Sequence, residues 1–423
     1  MLACAPQLSS FFRQYAGGLF APRQVAHAPV LFPSDVKVSA IIPTYKPPRL
    51  IVPLVARLLG DPLIAQVVVV DDATPPGWEG VFASVAEAAR AAENPDALTI
   101  LPLDANHQRA GAVNEGLRVL HLPPSPRHDV LVLDDDVVLT DGAIGSLIRQ
   151  LHADDAMGAV CTQARVANRK ENILTRLQGL EYVGFNVARI ADRGFLQGPL
   201  IMHGLASLIR STVLMGEVQG YDQTQLLEDY DLTVRIKSRG YEVALAEAAV
   251  ASTVVPSRLG QFWRQRVRWQ YGGLTVITRH RRVLAAVFPD MLAHALTLAL
   301  LLSIFSSLIW HEAGSGESGL ITVMRTVSIA MSAIFYAVQL LFMIMADKGK
   351  DWKDMLLRTL LIPEFLYSFF LSLVLFGSYL FYGYTRMRDA MLHVVHAPSF
   401  KKLCMTADRV FARAGYTTRW GTK

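Results

Sequence analysis

Hydrophobic and polar positions follow two regular patterns up to about residue 280. Short apolar runs, typical of buried strands, lie at 38–45 (VSAIIPTY), 65–72 (AQVVVVDD), 97–103 (ALTILPL) and 129–139 (DVLVLDDDVVL). Each run is followed by a segment in which apolar residues recur at helical spacing. Four consecutive strand–helix units predict an α/β domain with a mostly parallel central sheet covered by helices on both faces.

Beyond about residue 280 the pattern changes to three long apolar runs at 292–310, 327–345 and 365–384. Each is close to the roughly 20 residues that a helix needs to cross a bilayer, and none contains a fixed charge. The mean hydropathy of the whole chain is +0.30. Three such runs in succession indicate a membrane protein, and buried core helices of a large soluble domain are the weaker explanation.

The first 35 residues predict an amphipathic segment rather than a signal peptide. Leu8, Phe11, Phe12, Tyr15 and Leu19 recur at helical spacing, and no basic flank precedes a continuous apolar stretch. Such a helix packs on a membrane surface or on the protein itself, and the pattern favours the membrane surface.

Charge and cysteine content argue against two other classes of protein. The net charge is +5, and the basic excess lies at 264–282 and in the C-terminal tail, as on the cytoplasmic side of many membrane proteins. No basic stripe with interleaved aromatic residues occurs in the globular part, so a nucleic acid partner is not expected. Cys4, Cys161 and Cys404 show no metal-ligand spacing and suggest a reducing compartment.

Polar residues follow three of the four predicted strands at the point where each strand ends. Thr44 and Tyr45 follow the first strand, Asp71 and Asp72 the second, and the acids at 134–136 the fourth. Ligands of parallel α/β sheets bind outside the carboxyl ends of the strands, so these side chains are expected to share one rim. The alternative is that the acids only cap solvated turns.

The three acids at 134–136 are the sharpest of these candidates. Neighbouring carboxylates repel one another, and oxygen ligands suit a hard divalent cation that also bridges to phosphates. Strand-like alternation would place Asp134 and Asp136 on one side and Asp135 on the other. Asp136 is then the expected metal ligand, and Asp135 is expected to face away from the site.

Two further motifs follow in the second half of the predicted domain. Glu228, Asp229 and Asp231 precede a helical pattern, although helix N-termini also attract acids that have no catalytic role. The segment QFWRQRVRWQYGG at 261–273 could be a basic interfacial helix, which is the expected role of most of its arginines. No Gly-rich dinucleotide fingerprint follows the first strand, and no Walker-type loop occurs.

In their order, these motifs resemble the family 2 glycosyltransferases, in particular the membrane-embedded branch with the cellulose, hyaluronan, chitin and poly-N-acetylglucosamine synthases. The resemblance covers roughly residues 38–273, and five motifs in one order are far more specific than any one alone. It implies a GT-A nucleotide-diphospho-sugar transferase domain followed by interfacial and transmembrane helices. The motifs stand here as Asp71-Asp72, Asn106 to Asn114 with Arg109, Gly111 and Ala112, Asp134-Asp135-Asp136, Glu228-Asp229, and Gln265 to Trp269.

On the nucleotide side, the resemblance implies that Thr44, Tyr45 and Asp72 hold the uridine of a UDP-sugar and that Arg109 lies close to the nucleotide. Two departures concern this side. The family usually carries Asn-Glu after the first strand, where this chain has YKPP, and Arg109 stands where lysine is commoner but keeps the charge.

At the reaction centre, the resemblance implies that Asp134 contacts the nucleotide sugar and that Asp136 binds Mg or Mn on its diphosphate. Asp229, with Glu228 beside it in the catalytic pair, is implied to be the general base that deprotonates the acceptor hydroxyl. The base faces the acceptor on the side opposite the leaving group, so the acceptor oxygen attacks from that side and the anomeric carbon is inverted.

On the acceptor and diphosphate side, the resemblance implies contacts from Gln265, Arg268 and Trp269. A guanidinium neutralises a leaving diphosphate, and an indole face suits the apolar C–H surface of a sugar. Gly204 and Ser207 match the family's acceptor-site loop loosely, and His203 is equally well explained as a structural histidine or as a site residue.

The implied function is synthesis of a β-linked polysaccharide from UDP-N-acetylglucosamine or UDP-glucose, with export through the protein's own membrane helices. The segment RQRVRWQYGG resembles the poly-N-acetylglucosamine type of the family more closely, which implies N-acetylglucosamine as the transferred sugar. One alternative is transfer of a single sugar to a lipid acceptor. A catalytically inactive scaffold subunit is a third hypothesis, which the intact motifs disfavour. The expected partners are the UDP-sugar, a growing glycan or lipid acceptor, and the lipid bilayer.

The expected location is the plasma (inner) membrane, with the catalytic domain in the cytoplasm. A third membrane crossing would place the basic tail outside, against the positive-inside rule. Either the tail is external despite its charge, or one apolar run is interfacial. The predicted parts are an amphipathic segment at 1–35, a GT-A domain at 36–260, an interfacial QxxRW helix at 261–283, a transmembrane region at 284–385 and a basic tail at 386–423.

Overall fold

The computed structural model describes residues 36–191, 199–280, 347, 349–395 and 397–417, together with isolated positions between 283 and 344. The amphipathic segment predicted at 1–35 lies outside the described residues. The membrane helices predicted at 292–310 and 327–345 also lie outside them, apart from the isolated positions.

An eight-stranded sheet forms the centre of the described chain. Its strands are β1 Lys37–Thr44, β2 Ile64–Asp71, β3 Leu98–Pro102, β4 His128–Leu133, β5 Val138–Leu139, β6 Met157–Val166, β7 Ala206–Arg210 and β8 Glu242–Thr253. They lie side by side in the order β3-β2-β1-β4-β7-β6-β8-β5. The first four are mutually parallel, β6 is parallel to β8, and β7 runs antiparallel to both β4 and β6. The predicted mostly parallel α/β sheet is therefore confirmed, and the reversed strand β7 was not predicted.

Helices cover the sheet and continue beyond it. They are α1 Ile51–Leu59, α2 Glu79–Arg90, α3 Gln108–Arg118, α4 Ala143–Leu151, α5 Ile173–Ala191, α6 Glu228–Ser238, α7 Leu259–Arg279, α8 Trp352–Thr359, α9 Leu361–Leu392 and α10 Pro398–Arg413. A π-helical segment, Thr212–Glu217, follows β7. The first four helices belong to the four predicted strand–helix units.

Both faces of the sheet are buried, which explains why its strands are continuously apolar. On β2, Val67 and Val69 belong to a core shared with α1, α2 and α4, whereas Val68 and Val70 belong to a second core shared with α3 and α6. Each fully buried valine contributes about 1.5–3 kcal/mol relative to exposure. Gly116 lets α3 lie close to the sheet, since a Cβ there would come within 3.0 Å of a Val70 methyl group.

Ion pairs attach α8 to the globular domain. Arg176 of α5 pairs with Asp351 at 2.8 Å and with Asp354 at 2.9 Å, and Arg169 pairs with Asp347 at 2.6 Å. Asp351 and Asp354 also form a reciprocal capping box at the N-terminus of α8. Because these side chains are largely buried, the segment that follows the second apolar run is held against the sheet-covering helix α5.

Helix α9 contains the third predicted apolar run and lies beside α7. Phe262 stacks on Phe370 with ring centroids 5.6 Å apart, and further along Tyr271 packs on Phe381 at 5.2 Å. The contacts advance in the same direction on both helices, so the two helices are parallel neighbours. Within the described residues, Leu366–Leu392 is the one segment that is long and apolar enough to cross a membrane.

The face of α9 that points away from α7 is apolar and exposed. Leu366, Phe369, Leu373, Phe376 and Leu380 recur at successive turns of the helix, and each is between 47% and 58% exposed. A contiguous exposed stripe of this size marks an interaction surface rather than scattered surface hydrophobics.

Helix α10 folds back along α9, and the residues that follow it, Ala414 to Tyr416, lie against α7. The indole Nε1 of Trp263 donates to the carbonyl oxygen of Ala414 at 2.7 Å, and the ring of Tyr416 lies 5.9 Å from that of Trp263. Gly377 provides the space for Tyr416, since a Cβ there would collide with the tyrosine hydroxyl. The C-terminal tail therefore returns to the helix that carries the QxxRW motif.

Candidate active site

One cavity of about 990 Å³ lies at the carboxyl ends of β1, β2 and β4. Helices α5, α6, α7 and α9 close its other side. The structure brings all the sequence-predicted site residues together around this cavity. They are Thr44, Tyr45, Asp72, Arg109, Asp134, Asp136, Glu228, Asp229, Gln265, Arg268 and Trp269.

The end of the cavity near β1 and β2 is shaped by unusual backbone conformations. Lys46, Ala73 and Gln108 each have φ of +57° or +58°, a left-handed region that non-glycine residues adopt at a cost of about 1 kcal/mol or more. Asp72 holds two of these turns together, because its Oδ1 accepts a hydrogen bond from the backbone N–H of His107 at 2.6 Å. Burial raises the pKa of Asp72 despite this bond.

The three acids after β4 do not alternate like residues of a strand. The strand ends at Leu133, and the chain turns, so Asp134, Asp135 and Asp136 diverge to three different partners. Asp135 accepts a hydrogen bond from the Thr44 hydroxyl at 2.5 Å and lines the cavity with the other two. The prediction that Asp135 faces away from the site is therefore wrong, because alternation applies only while the backbone stays extended.

Burial makes this turn electrostatically expensive. It raises the pKa of Asp135 to about 7, and it also raises the pKa of Asp136, whose Oδ2 accepts from the Thr253 hydroxyl at 2.7 Å. The neighbouring carboxylates, Asp134 included, add to both shifts. A positive charge at this turn would relieve the repulsion.

The donor set fits a divalent cation only in part. Among the described residues, no group of three or more His, Cys, Asp or Glu side chains is arranged to hold a metal ion. Magnesium in nucleotide sites commonly uses one or two carboxylates and completes its shell with substrate phosphates and water. Asp136, with Asp134 nearby, suits that arrangement.

Arg109 joins the two acidic motifs. Its Nε donates to Asp134 at 2.8 Å, its Nη1 to Glu228 at 2.9 Å and its Nη2 to the carbonyl oxygen of Gly204 at 2.7 Å. Gly204 leaves room for this contact, since a Cβ there would lie 3.0 Å from the guanidinium. The end of β4, the segment before β7 and the first turn of α6 are therefore held by one side chain.

Asp229 lies in the first turn of α6 and faces the cavity. Burial, reinforced by the negative charge of Glu228, raises the pKa of Asp229 to about 6, and Arg109 opposes the shift. A carboxylate with this pKa is ionised at neutral pH and is a stronger base than an exposed aspartate. Asp231, which the sequence explained as a helix N-terminal acid, is buried and accepts from His280 at 2.8 Å.

The QxxRW residues lie on α7 with different exposures. Arg268 lines the cavity with an exposed side chain, and within the described residues it makes no ion pair. Arg266, one of the arginines expected to lie at a membrane interface, is only 2% exposed. It pairs with Glu181 of α5, so the interfacial interpretation is wrong for this residue. Its guanidinium lies 4.3 Å from the ring centroid of Trp269.

His203 is explained by a structural role. Its Nε2 lies in hydrogen-bond contact with the carbonyl oxygen of Thr162, so this nitrogen carries the proton and donates. Burial, followed by the charge of Arg189, lowers the pKa of His203 to about 3. The imidazole is therefore neutral at every physiological pH.

Several cavity residues escaped the sequence analysis. Tyr182, Phe185 and Arg189 enter from α5, and Leu371 and Tyr379 enter from α9. The residues of α5 lie in a segment that contains none of the family motifs, and those of α9 lie in an apolar run whose sequence predicts a membrane helix. No local signal marks such residues, because only the packing of α5 and α9 against α7 brings them to the cavity.

Comparison with known proteins agrees with the motifs. A family model described as "Glycosyltransferase like family 2" matches residues 33–272. Poly-beta-1,6-N-acetyl-D-glucosamine synthase of Staphylococcus aureus (strain COL) is 29% identical over 189 residues, which are 44% of this chain and 43% of the relative. The same enzyme of Staphylococcus epidermidis is 29% identical over 178 residues, which are 42% of this chain and 41% of the relative. The chain thus matches less than half the length of these curated relatives.

A solved structure shares the fold over most of the chain. The mannosyltransferase PcManGT of Pyrobaculum calidifontis, determined in complex with GDP-Man and Mn²⁺, superposes with a TM-score of 0.58 and 19% sequence identity. The match covers 82% of this chain and 95% of the mannosyltransferase chain. It supports the GT-A-like architecture of the sheet and its helices. With a family model that spans more than half of the chain, the protein belongs to family 2 of the glycosyltransferases.

Proposed function

We propose that the protein is an inverting glycosyltransferase that adds N-acetylglucosamine from UDP-N-acetylglucosamine to a growing β-linked polysaccharide and exports the polymer through its own membrane helices. The observation that carries the proposal is that one cavity is lined by the acids at the strand ends, by Asp229 and by the QxxRW helix. The similarity to poly-beta-1,6-N-acetyl-D-glucosamine synthases supports N-acetylglucosamine rather than glucose as the transferred sugar.

On the donor side, Thr44, Tyr45 and Asp72 bind the uridine, and Asp134 orients the sugar. Asp136 would hold Mg or Mn, which when bound neutralises the negative charge of the diphosphate. Arg268, whose guanidinium has no ion-pair partner in the described residues, approaches the same diphosphate from α7. The negative charge that develops on the UDP leaving group is thus stabilised as the bond between the anomeric carbon and the diphosphate oxygen breaks.

On the acceptor side, Asp229 takes the proton of the attacking hydroxyl. The hydroxyl oxygen bonds to the anomeric carbon on the face opposite the diphosphate, so the configuration inverts. Glu228 acts indirectly, because it pairs with Arg109 and its negative charge raises the pKa of Asp229. Trp269 offers its indole face to the acceptor sugar.

A lipid acceptor is the second candidate, and one observation favours it. The wall of the cavity between α7 and α9 is largely aliphatic, with Leu274, Ile277, Leu371 and Leu375 facing the space. An acyl or isoprenoid chain would lie against this wall, and the protein would then add one sugar to a headgroup. The two candidates share the donor site and differ in product length.

We also propose that the protein is held at the cytoplasmic face of the membrane. The exposed apolar stripe of α9 would contact lipid. Because α9 runs beside α7 and the chain then returns to Trp263, the third apolar run is better explained as an interfacial helix than as a third crossing. The basic tail then stays in the cytoplasm, in agreement with the positive-inside rule.

The product assay tests the main proposal against its alternative. Purified protein is supplied with radiolabelled UDP-N-acetylglucosamine or UDP-glucose, and released UDP and product size are measured. We expect faster UDP release with UDP-N-acetylglucosamine and a product of many sugars. An organic-extractable product that never exceeds one added sugar would establish the lipid acceptor instead.

The pH dependence of kcat/KM tests the base. We expect activity to be lost as the pH falls through about 6, because Asp229 is then protonated. Glu228→Gln removes the negative charge that raises the pKa of Asp229 and leaves Arg109 with one carboxylate partner fewer. The loss of activity at acidic pH should therefore occur at lower pH. Asp229→Asn should lower turnover by about 10²–10⁴-fold. An acid limb that stays in place in Glu228→Gln contradicts the assignment.

Metal binding at the turn after β4 is tested separately from activity. Mn²⁺ is titrated in the presence of UDP by electron paramagnetic resonance. Asp136→Ala should weaken Mn²⁺ binding by at least about tenfold and abolish metal-dependent turnover. Asp141→Ala is the matched control, because Asp141 is fully exposed and lies outside the cavity. Unchanged Mn²⁺ affinity in Asp136→Ala would remove Asp136 from the metal site.

The location of the tail is tested by cysteine labelling. In a variant whose three native cysteines are replaced by alanine, single cysteines are introduced at Arg413 in the tail and at Gly80 in the catalytic domain, both exposed. An impermeant maleimide should label both from the same side of oriented membrane vesicles. Labelling of the two positions from opposite sides would show that α9 crosses the bilayer.

A further inference from the structure

A buried ion pair, Glu181 with Arg266, forms part of the cavity wall next to Trp269. Arg266 of α7 donates from Nη2 to Oε2 of Glu181 at 2.5 Å, and the side chains are 3% and 10% exposed. The hydroxyl of Tyr367, from the first turns of α9, donates to the same carboxylate oxygen at 2.6 Å. Three helices that are distant in sequence therefore converge on one carboxylate.

The guanidinium of Arg266 is also stacked between aromatic rings. Its central carbon lies 4.8 Å from the ring centroid of Phe262 and 4.3 Å from that of Trp269. These residues are spaced at i, i+4 and i+7, so they share one face of α7. Among them, Arg266 is the member that contacts both the carboxylate and the indole.

Stability alone does not explain this arrangement. Desolvating two charges usually offsets the attraction between them, and apolar side chains of similar volume commonly serve a core as well or better. What an arginine adds is a planar group whose orientation is set by its hydrogen bonds and which stacks on aromatic faces. The hydrogen bond to Glu181 and the ring of Phe262 together confine the guanidinium, and the guanidinium in turn lies over the ring of Trp269 and limits how that ring can tilt.

We propose that Glu181 and Arg266 are positioning residues that orient the Trp269 indole toward the acceptor sugar, with Tyr367 anchoring the carboxylate from α9. The inference rests on the proposed role of Trp269 as an acceptor contact. Neither residue touches the reacting atoms. Their side chains border the cavity, and they act on the acceptor by holding the ring of Trp269.

The test separates the planar stack from the charge. Arg266→Lys keeps a cation for Glu181 and removes the planar group, so the acceptor KM should rise about tenfold while the KM for UDP-N-acetylglucosamine stays within about twofold. The acceptor probe is a β-linked N-acetylglucosamine oligosaccharide. Arg264→Lys is the matched control two residues earlier on the exposed face of α7, and both KM values should stay unchanged.

A second measurement does not depend on turnover. The fluorescence of each protein minus that of its Trp269→Phe counterpart isolates the Trp269 signal. Acrylamide should quench this signal more strongly in Arg266→Lys than in the wild type, and not in Arg264→Lys. Tyr367→Phe is the milder variant in case Arg266→Lys fails to fold, and it should raise the acceptor KM by about two- to threefold, as expected for one lost hydrogen bond.

The outcomes test the acceptor role of Trp269 and the positioning role of Glu181 and Arg266 separately. If Trp269→Ala leaves the acceptor KM unchanged, the proposed acceptor role of Trp269 fails. If Trp269→Ala raises the acceptor KM but Arg266→Lys and Tyr367→Phe do not, the positioning role fails while the proposed function stands. Equal increases in donor and acceptor KM, or quenching that does not change, would reduce Glu181 and Arg266 to a structural pair.

Discussion

The three-way contact of Arg109 is the interaction on which the site depends. It neutralises Asp134 at the end of β4 and Glu228 at the start of α6, two carboxylates that would otherwise repel across the cavity. Burying a guanidinium is costly, and here two charged partners and the carbonyl of Gly204 compensate for the lost water. The end of β4, the segment before β7 and the first turn of α6 are aligned because one planar side chain contacts all three.

Around that contact, the protein maintains acids that are poorly solvated. Burial raises the pKa of Asp135 to about 7 and that of Asp229 to about 6. A fold selected only for stability would expose or remove such groups. Each raised pKa corresponds to a chemical capacity: the turn after β4 attracts a positive charge, and Asp229 is a base strong enough to act near neutral pH.

Helix α7 connects this chemistry to the apolar part of the chain. Trp269 faces the cavity, Arg266 reaches back to Glu181, and Trp263 receives the returning tail. Because α9 packs along α7 and supplies Leu371 to the cavity wall, this part of the cavity cannot be separated from the apolar helix α9. A fragment that ends after α7 would lose part of the cavity wall.

The sequence by itself determined the α/β core, the strand ends and the gathering of the motifs at one rim, because strand burial and the geometry of parallel strands are expressed in local patterns. Arg266 shows the limit of such local patterns, because its partner Glu181 is 85 residues away and no sequence spacing predicts the pair. Asp135 shows a second limit, since its direction depends on where β4 ends and the turn begins. Tertiary packing alone decided the reversed strand β7, the return of the tail and every contact between α7 and α9, because these depend on which surfaces meet rather than on the pattern within either segment.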